Sequence, residues 1–258
     1  MISRKGVIIL NTLPALQVKL ADCEDELKKA LRLRYEVFAE KEANPALYNE
    51  SRMESDIFDE HCDHLIVKDT NTNQVVGTYR LLPGERAVMH KGFYSETEFD
   101  LSGFTVPKSQ ILEVGRSCVA PEYRDGKTIQ LLWEGIAGYI MDGLFSHLIG
   151  CASIPVQNIH ELNRMYTFLC AKKMITDRFK VQPLMSHRVT GLRTVDITGQ
   201  EKNILRTLPP LIKGYQRLGA EIAGAPAFDP IFQTTDFFIV LETSRIAQKY
   251  KRHFIKTP

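Results

Sequence analysis

One stretch of the chain joins a strand, a turn residue and a basic helix start in a way that suits an anionic ligand. It reads ILEVGRSCVAPEYRDGKTIQLLWEGI and begins at Ile111. Gly126 permits a tight turn, and we expect a helix to begin near Lys127. Unpaired backbone N–H groups and the dipole at a helix start favour a phosphate, which Arg124 and Lys127 would also attract. The alternative is a strand–helix connection that binds nothing, as in many α/β proteins.

The run His61-Cys62-Asp63-His64 contains metal-ligating residue types, but its spacing argues against a metal site. At the start of a strand, His61 and Asp63 point to one face, and Cys62 and His64 point to the other. No distant pair completes a site, so we predict no metal centre. The five cysteines are an odd number without CxxC spacing, so they indicate neither a disulfide framework nor a zinc knuckle.

The composition is that of an ordinary globular chain, with 258 residues, 44% hydrophobic and 25% charged. A net charge of +2 argues against a protein that coats nucleic acid. No apolar run reaches the length of about 18 residues that a membrane span needs, and the N-terminal run is too short for a signal peptide. We expect a cytoplasmic protein with a single domain over residues 1–258, its core at about 17–242 and a basic tail at 243–258.

Strand and helix patterns alternate along the chain, which predicts an α/β fold with a mixed sheet and helices on both faces. The predicted strands are 17–21, 64–69, 74–82, 111–120, 147–155, 188–196 and 235–242. The predicted helices are 24–40, 129–145, 158–173 (with Asn158 as a cap) and 208–220, with a short one around 95–102. The clearest signal is the hairpin, because an NTN turn separates its two strands.

The loop V-x-P-x-Y-R-x-G, between a strand and a helix, resembles the acyl-CoA-binding signature of the GCN5-related N-acetyltransferase superfamily. More narrowly, the chain resembles the branch that contains the ornithine N-acyltransferases of ornithine-lipid synthesis, whose members are often called hemolysins. The matching stretches are LRYEVFAE (33–40), FDEHCDHLIV (58–67), VVGTYRLLPG (75–84), LEVGRSCVAPEYRDGKTIQLLWEGIAGYI (112–140) and LIKGYQRLGAEIAGAPAFDPIFQTTDFFIVLE (211–242). They span most of residues 31–242, so the resemblance covers nearly the whole chain.

The resemblance implies a GCN5-related N-acyltransferase fold, with a mixed, mostly antiparallel sheet and a splayed central strand pair. It also implies that the strand end and the loop bind the phosphopantetheine of an acyl donor, with backbone N–H groups near residues 118–120 as oxyanion donors. The implied donor-binding residues are Cys118, Val119, Ala120, Arg124, Asp125, Gly126, Lys127 and Thr128. No permanently bound cofactor is expected.

A set of charged residues resembles that of the acyl-homoserine-lactone synthases, which also pair an acyl carrier with a small acceptor. The set consists of Arg34, Phe38, Asp56, Asp59, Arg80, Glu113 and Arg116. Glu113 and Arg116 are three apart on one strand, so they come together only if the strand bends or bulges between them. For Arg34 and Arg80, an internal ion-pair network is an equally good interpretation.

The chemistry requires a base for the acceptor amine and a donor for the oxyanion. Glu113 is the best candidate base, directly or through water, with Arg116 beside it as the second catalytic residue. Asp59 and Glu60 are the alternative bases. Cys118 is expected to be a buried hydrophobe rather than a nucleophile.

The phosphate loop departs from the Arg/Gln-x-x-Gly-x-Gly/Ala pattern of acetyl-CoA enzymes. Asp125 and the missing second small residue leave a poorer cradle for a pyrophosphate, so we expect the acyl-phosphopantetheine of acyl-carrier protein as co-substrate, with acyl-CoA as the alternative. The patch Lys28, Lys29 and Arg32 is a candidate docking surface for that acidic partner. The tail QKYKRHFIKTP is either solvated or a peripheral contact with the inner membrane face.

The predicted function is transfer of a long, 3-hydroxylated fatty acyl chain to the α-amine of a small amino acid. Ornithine is the first choice, and glycine or another amino acid is the alternative acceptor. For a cationic acceptor, we expect Asp56, Asp59, Glu60 and Glu113 to supply carboxylates. Two other classes stay open: an acyl-homoserine-lactone-type synthase and a non-enzymatic membrane-associated module.

Overall fold

The computed structural model describes residues 15–155 and 158–245. In chain order its strands are β1 (Leu16–Leu20), β2 (Asp63–Asp69), β3 (Gln74–Pro83), β4 (Phe99–Asp100), β5 (Ile111–Val119), β6 (His147–Ile154), β7 (Ile175–Thr176), β8 (Gln182–Pro183), β9 (Glu221–Ala223), β10 (Ala227–Asp229) and β11 (Thr234–Glu242). Its α-helices are α1 (Glu24–Tyr35), α2 (Gly84–Met89), α3 (Lys127–Asp142), α4 (Ile159–Ala171), α5 (Glu201–Thr207) and α6 (Pro210–Arg217). Helix α1 continues as a π-helical segment, Glu36–Lys41.

The main sheet runs in the order β1-β2-β3-β5-β6-β11-β9-β7, with β10 paired to the edge of β11. Its pairings are antiparallel except for β5 with β6 and β7 with β9. Strands β4 and β8 form a small separate ribbon. The sheet is therefore mixed and mostly antiparallel, as the resemblance implies.

The central strands are buried on both faces because helices cover each side. Leu65 and Val67 of β2 pack with the apolar face of α3, whereas Ile66 packs with Ala30 and Leu33 of α1. This alternation follows from the period of two along a strand. A second group of helices, α4 to α6, covers the β6 and β11 half of the sheet. None of the described helices is long and apolar enough to cross a membrane.

Strands β5 and β6 separate after a short parallel contact. They pair only from Ile111 opposite His147 to Glu113 opposite Ile149, although β5 continues to Val119 and β6 to Ile154. A side-chain Cβ on Gly150 would lie 2.3 Å from the Val114 carbonyl oxygen, so the apex of the split requires glycine. The implied splayed strand pair is confirmed, and it opens the sheet beside Glu113.

A β-bulge interrupts β5 next to this opening. Arg80 of β3 lies opposite Gly115 and Thr78 lies opposite Cys118, so Arg116 and Ser117 together face one β3 residue. Arg116 has a φ of 51°, a left-handed conformation that is rare outside glycine. The bulge therefore begins at Arg116 itself rather than between Glu113 and Arg116, and it changes the direction in which Arg116 points.

Most of the predicted elements are found with ends shifted by a few residues. Asn158 caps α4 by accepting a hydrogen bond from the His160 N–H at 2.8 Å. The short helix predicted around 95–102 is a 3-10 turn over Tyr94–Thr97, followed by β4. Helices α2 and α5 and the short strands β7 to β10 were missed.

The predicted strand 188–196 is wrong. Apart from one isolated antiparallel bridge between Arg188 and Ala227 of β10, the segment is irregular, and side chains of α4 bind its backbone. Asn163 accepts the Arg193 N–H at 2.9 Å and donates to the Gly191 carbonyl at 3.2 Å. Thr167 accepts the Val195 N–H at 2.9 Å. The basic end of the predicted tail, from residue 246 on, lies outside the described residues.

Candidate active site

The opening between β5 and β6 holds a cavity of about 190 Å³. The bulged segment of β5, from Val114 to Ser117, forms one wall. Cys151 and Ser153 of β6 form the other, and Tyr215 of α6 and Phe232 also contribute. The cavity therefore lies where two neighbouring strands leave their backbone groups without each other as partners.

A second cleft of about 370 Å³ runs from this cavity toward the predicted phosphate loop. Cys118, Val119, Arg124 and Gly126 line it. The cavity and the cleft share four lining residues: Phe38, Glu42, Ser117 and Leu211. The predicted donor loop and the splayed strands thus adjoin one another.

The phosphate loop has the turn that the sequence predicts. Gly126 has a φ of 96°, and nothing lies within 4 Å of the position of a Cβ there, so the loop is open on that side. The Asp125 carboxylate accepts the Lys127 N–H at 2.9 Å, which occupies one of the free amides of the helix start. Asp125, Lys127 and the buried Thr128 do not line the cleft, unlike Arg124 and Gly126.

The backbone at the end of β5 offers fewer oxyanion donors than predicted. The Ala120 N–H is taken, because it donates to the Val76 carbonyl at 2.8 Å. The alternation of an antiparallel ladder turns the Cys118 N–H toward β3 as well. Val119 faces the other way, since its carbonyl accepts from Arg124 Nε at 3.0 Å in the cleft. Of the three predicted residues, Val119 alone presents its backbone groups to the cleft.

Glu113 lies at the apex of the split and is 5% exposed. Its two carboxylate oxygens accept hydrogen bonds from the Tyr94 N–H at 2.7 Å, the Ser95 N–H at 2.8 Å and the Ser95 hydroxyl at 2.5 Å. Burial raises the pKa of Glu113, and the Ser95 and Tyr94 hydrogen bonds oppose that rise. Glu113 and Arg116 both line the cavity, but they form no ion pair with each other, because Arg116 binds Glu54 and Asp56.

Three arginines and three carboxylates form a charge-balanced cluster, which we call the arginine network. Its members are Arg34, Arg80, Arg116, Glu54, Asp56 and Asp59. Arg34 is fully buried and binds Asp59 with two nitrogens at 2.7 and 3.0 Å and Glu54 with a third. The network ties α1 and the 54–59 loop to β3 and β5. These contacts agree with the interpretation of Arg34 as a member of an internal ion-pair network.

Unlike Arg34, the two other arginines of the network lie at the cavity. Arg80 binds Asp56 at 2.6 Å, and Arg116 binds Asp56 at 2.8 Å and Glu54 at 3.1 Å. Both arginines line the cavity. Burial would raise the pKa of Asp59, but Arg34 and Arg80 hold it well below its usual range. Asp59 is therefore a poor base, and Asp56 and Asp59 are already paired with cations.

Sequence reasoning missed a second cluster at the cavity, which we call the acidic pocket: Glu98, Asp229 and Asp236. Carboxylate oxygens of Glu98 and Asp236 and the sulfur of Cys151 all lie within 4.8 Å of one another. Glu98 is 2% exposed, Asp229 is 4% exposed and Asp236 is 2% exposed. The one signal in the sequence is an aspartate in the middle of the apolar strand TTDFFIVLE.

The acidic pocket has unusual proton affinities. Burial, together with the nearby charges of Asp236 and Asp229, raises the pKa of Glu98 to about 9. Burial also raises the pKa of Asp236 to about 6, against the hydrogen bonds of Thr234 and Ser153. Burial raises the pKa of the Cys151 thiol well above its usual value. Carboxyl groups in such surroundings favour either a proton or a bound cation.

Two groups of potential metal ligands lie close together in the described chain: Glu98, Cys151 and Asp236, and separately Asp22, Cys23 and Glu26. In the second group, Glu26 already binds Lys19 at 2.8 Å and Lys68 at 3.1 Å. Residues of the run 61–64 make other contacts instead of forming a metal site. His61 stacks on His90, and Asp63 binds Arg86 at 2.9 Å.

The predicted docking patch on α1 is partly neutralised within its own helix. Lys28 pairs with Glu24 at 2.6 Å and Lys29 pairs with Asp25 at 2.7 Å, four residues earlier in each case. Arg32 is exposed. The surface is therefore mixed in charge rather than a uniform basic patch.

Comparison with known proteins identifies similar sequences over nearly the whole chain. A family profile described as "Acetyltransferase (GNAT) domain" matches residues 33–134. An L-ornithine N(alpha)-acyltransferase of Brucella abortus (strain 2308) is 37% identical over 270 residues, covering 98% of this chain and 93% of that protein. The protein of the same name from Rhodobacter capsulatus is 30% identical over 251 residues, covering 93% of this chain and 95% of that protein.

Solved structures show the same fold at low sequence identity. The CoA-dependent acyl-homoserine lactone synthase BjaI matches with a TM-score of 0.54 and 15% identity, covering 91% of this chain and 84% of that one. The CoA-dependent acyl-homoserine lactone synthase MesI matches with a TM-score of 0.52 and 15% identity, covering 94% and 97%. At such identity these matches show the architecture alone.

Proposed function

We propose a donor and an acceptor for this chain, which belongs to the family of L-ornithine N(alpha)-acyltransferases and is an acyltransferase with the GNAT fold. The acceptor is the α-amine of ornithine. The donor is a 3-hydroxyacyl thioester of acyl-carrier protein, and the product is a lyso-ornithine lipid. The observation that carries this proposal is the cavity at the split between β5 and β6, adjoined by a cleft that leads to the phosphate loop.

The donor enters along the cleft with its phosphate at the loop and its thioester at the split. Arg124 and the open side of Gly126 bind the phosphate. The pantetheine arm follows the free edge of β5, where Val119 presents its backbone groups to the cleft. Phe38 lines both the cavity and the cleft, and there it contacts the acyl-pantetheine.

The reaction is a direct transfer at the thioester carbonyl. The neutral α-amine of the acceptor attacks that carbon, forming a C–N bond, and the C–S bond breaks to release the phosphopantetheine thiolate. A backbone N–H of the bulged β5 segment or of Val119 stabilises the oxyanion. The amine's proton goes to Glu113 through the Ser95 hydroxyl, which lies 2.5 Å from Glu113 and lines the same cavity. The thiolate takes up that proton in turn.

The loop favours acyl-carrier protein over CoA. CoA brings a pyrophosphate, whereas a carrier protein brings one phosphodiester. Asp125 already occupies the Lys127 N–H, and its carboxylate lies at the helix start that a second phosphate would need. Like charges a few ångströms apart repel by on the order of 1 to 4 kcal/mol, depending on exposure. A single phosphate avoids that repulsion.

Mass spectrometry of the products tests the proposal. The purified protein is incubated with 3-hydroxyacyl-carrier protein or matched 3-hydroxyacyl-CoA, a pool of amino acids including ornithine and glycine, and S-adenosylmethionine. We expect lyso-ornithine lipid, formed with a higher kcat/KM from the carrier thioester, an advantage that added salt reduces. A homoserine lactone, or acylation of glycine alone, would contradict the acceptor. An equal and salt-insensitive rate with CoA would contradict the donor.

A further inference from the structure

We infer that the acidic pocket of Glu98, Asp229 and Asp236 binds the side-chain ammonium of a cationic acceptor and selects it against neutral amino acids. The inference rests on the proposed function, because it assigns the acceptor's side chain to a part of the proposed site. The four carboxylates predicted from sequence are not placed to bind this ammonium. Glu60 is exposed and lines neither the cavity nor the adjoining clefts. Asp56 and Asp59 are paired with arginines, and Glu113 is held by the Tyr94–Ser95 backbone.

The environment of the Glu98 carboxylate suggests that a ligand binds there. It is 2% exposed, and neither of its carboxylate oxygens makes a hydrogen bond with the described chain. The Tyr94 hydroxyl and the Asp236 carboxylate lie beside Glu98 and interact with it. Tyr94, however, donates to Asp229 at 3.2 Å, and Asp236 accepts the hydroxyls of Ser153 and Thr234. Buried carboxylates normally accept well-aligned donors, so one that has only these neighbours beside a cavity is unusual.

The two aspartates are oriented but not neutralised. Asp229 accepts the Ile231 and Phe232 N–H groups at 2.7 and 3.0 Å. Asp236 accepts the hydroxyls of Ser153 and Thr234 at 2.8 and 2.7 Å. No lysine, arginine or histidine of residues 15–155 and 158–245 forms an ion pair with any of the three acids. The neighbouring Arg116 is bound to Glu54 and Asp56 instead.

The pocket lies at a suitable distance from the reacting centre. Asp229, Asp236 and Ser153 line the same cavity as Ser95 and Glu113, and Glu98 lines an adjoining cleft of about 420 Å³ together with Asp229. Asp236 pairs with Ser153 across the sheet, two residues beyond Cys151, whose sulfur lies 3.5 Å from the Ser95 hydroxyl. The carboxylate oxygens of Glu98 and Asp236 lie within 4.8 Å of that sulfur, so the pocket is within reach of a three-carbon side chain with a terminal ammonium.

An ammonium fits this donor set better than a metal ion does. It has three N–H donors, and the pocket offers three carboxylates. A metal held by Glu98, Cys151 and Asp236 would require the thiolate, whereas burial keeps the Cys151 thiol protonated. Both oxygens of Asp236 already accept hydroxyl donors, which suits a further hydrogen bond more than direct coordination.

Acceptor selectivity tests the assignment. Norvaline is ornithine without the terminal amine, so the ratio of kcat/KM for ornithine to that for norvaline isolates the ammonium contact. We expect this ratio to fall about 100-fold or more in Glu98→Gln and in Asp236→Asn. Because each ratio compares two acceptors on one variant, partial misfolding does not affect it. Glu26→Gln is the matched control, since Glu26 is equally buried on α1 but pairs with two lysines, and it should leave the ratio unchanged.

The outcomes distinguish a failure of the proposed function from a failure of the ammonium assignment. A wild-type protein that acylates neither ornithine nor norvaline overturns the proposed function, and this inference with it. Acylation of ornithine with an unchanged ratio in Glu98→Gln and Asp236→Asn overturns the inference alone. A ratio that EDTA abolishes and zinc restores in the wild type would assign the pocket to a metal and would also overturn it.

Discussion

Two clusters of buried charged side chains adjoin one cavity, and they differ in charge balance. The arginine network sets three guanidinium groups against three carboxylates, and its fully buried member, Arg34, is bound on both sides. The acidic pocket gathers three carboxylates that have no cation partner among the described residues. Since buried charges are tolerated only when paired or protonated, the network is complete in itself, whereas the pocket requires either protons or a ligand.

The difference in charge balance assigns a structural role to the arginine network and a binding role to the acidic pocket, although both lie in the same region of the molecule. Both clusters lie next to the reacting centre, and residues of both line the cavity. Proximity to a cavity is therefore a poor criterion for function here. The informative feature is the polar group whose partner is absent, which the acidic pocket has at Glu98 and the arginine network lacks at Arg34.

The largest effect is expected in the network. Arg34→Met leaves Glu54 and Asp59 buried with fewer cations, so the free energy of unfolding should fall by about 3 to 5 kcal/mol in chemical denaturation. Arg52→Met is the matched control, because Arg52 also pairs with a glutamate, Glu40, but 66% of its side chain is exposed. That change should stay within about 0.5 kcal/mol. Equal effects of the two changes would remove the distinction between the network and an ordinary surface pair.

Glu113 is an intermediate case, since N–H and O–H donors rather than a cation hold its carboxylate. Glu113→Gln removes the proton acceptor, and we expect kcat to fall about 100-fold or more. The acidic limb of the pH–rate profile, which reports the base, should disappear with it. A matched fall of activity and thermal stability, with the limb retained, would make Glu113 a structural residue only.

Removing an ionisable group from the acidic pocket should stabilise the folded protein, whereas removing one from the arginine network should destabilise it. The pKa of Glu98 is about 9 in the folded protein, above its ordinary value of 4.5. Below pH 4.5 the group is protonated in both states. As the pH rises toward 9, the unfolded chain releases this proton while the folded chain keeps it, so stability falls. Asp229, Asp236, Tyr94 and Arg116 surround the group and shape this titration.

Glutamine does not titrate, so Glu98→Gln removes the fall in stability that the wild type shows as the pH rises. In the absence of acceptor, the variant should therefore be more stable than the wild type at pH 8. Linkage over the pH range from 4.5 to 8 gives an upper bound of about 5 kcal/mol for the gain in the free energy of unfolding, and the gain should shrink toward pH 4.5. Urea unfolding over this pH range measures it. A variant that is less stable than the wild type at every pH would show that the carboxylate has a partner in the fold.

The smallest effect concerns the donor. Arg124→Glu should raise the KM for the acyl-carrier thioester about tenfold through the lost phosphate contact, with little change in the KM for ornithine. Arg193→Glu is the control, because Arg193 is exposed and lies outside both the cavity and the cleft. Similar changes in both KM values would remove the loop from the donor site.

Local patterns were sufficient to predict much of the fold. The β2–β3 hairpin, the turn at Gly126 and the Asn158 cap depend on residues within a few positions, and they occur where the sequence places them. The strand predicted at 188–196 failed because α4 side chains satisfy its backbone. The splayed strands followed from the resemblance rather than from any periodicity.

The candidate site was harder to predict because its charges meet across long sequence separations. The sequence shows that Arg34 and Asp59 are charged, but only packing reveals that they bind each other over 25 positions. Glu98 and Asp236 lie on separate segments far apart in the chain, so no spacing rule connects them. Of the carboxylates predicted for a cationic acceptor, Asp56, Asp59 and Glu113 are already bound within the fold, and Glu60 is exposed.

The central claim is that the acidic pocket binds the acceptor's side-chain ammonium, and displacement of the Glu98 proton is the signal expected from that binding. Isothermal titration of ornithine at pH 7.5, repeated in buffers of different ionisation enthalpy, counts the protons released on binding. Norvaline subtracts any proton that the α-amine loses. We predict that ornithine releases about one proton more than norvaline with the wild-type protein, because Glu98 with its pKa of about 9 is protonated when free, and that Glu98→Gln loses the difference. Equal release by the two amino acids in the wild-type protein would contradict the claim.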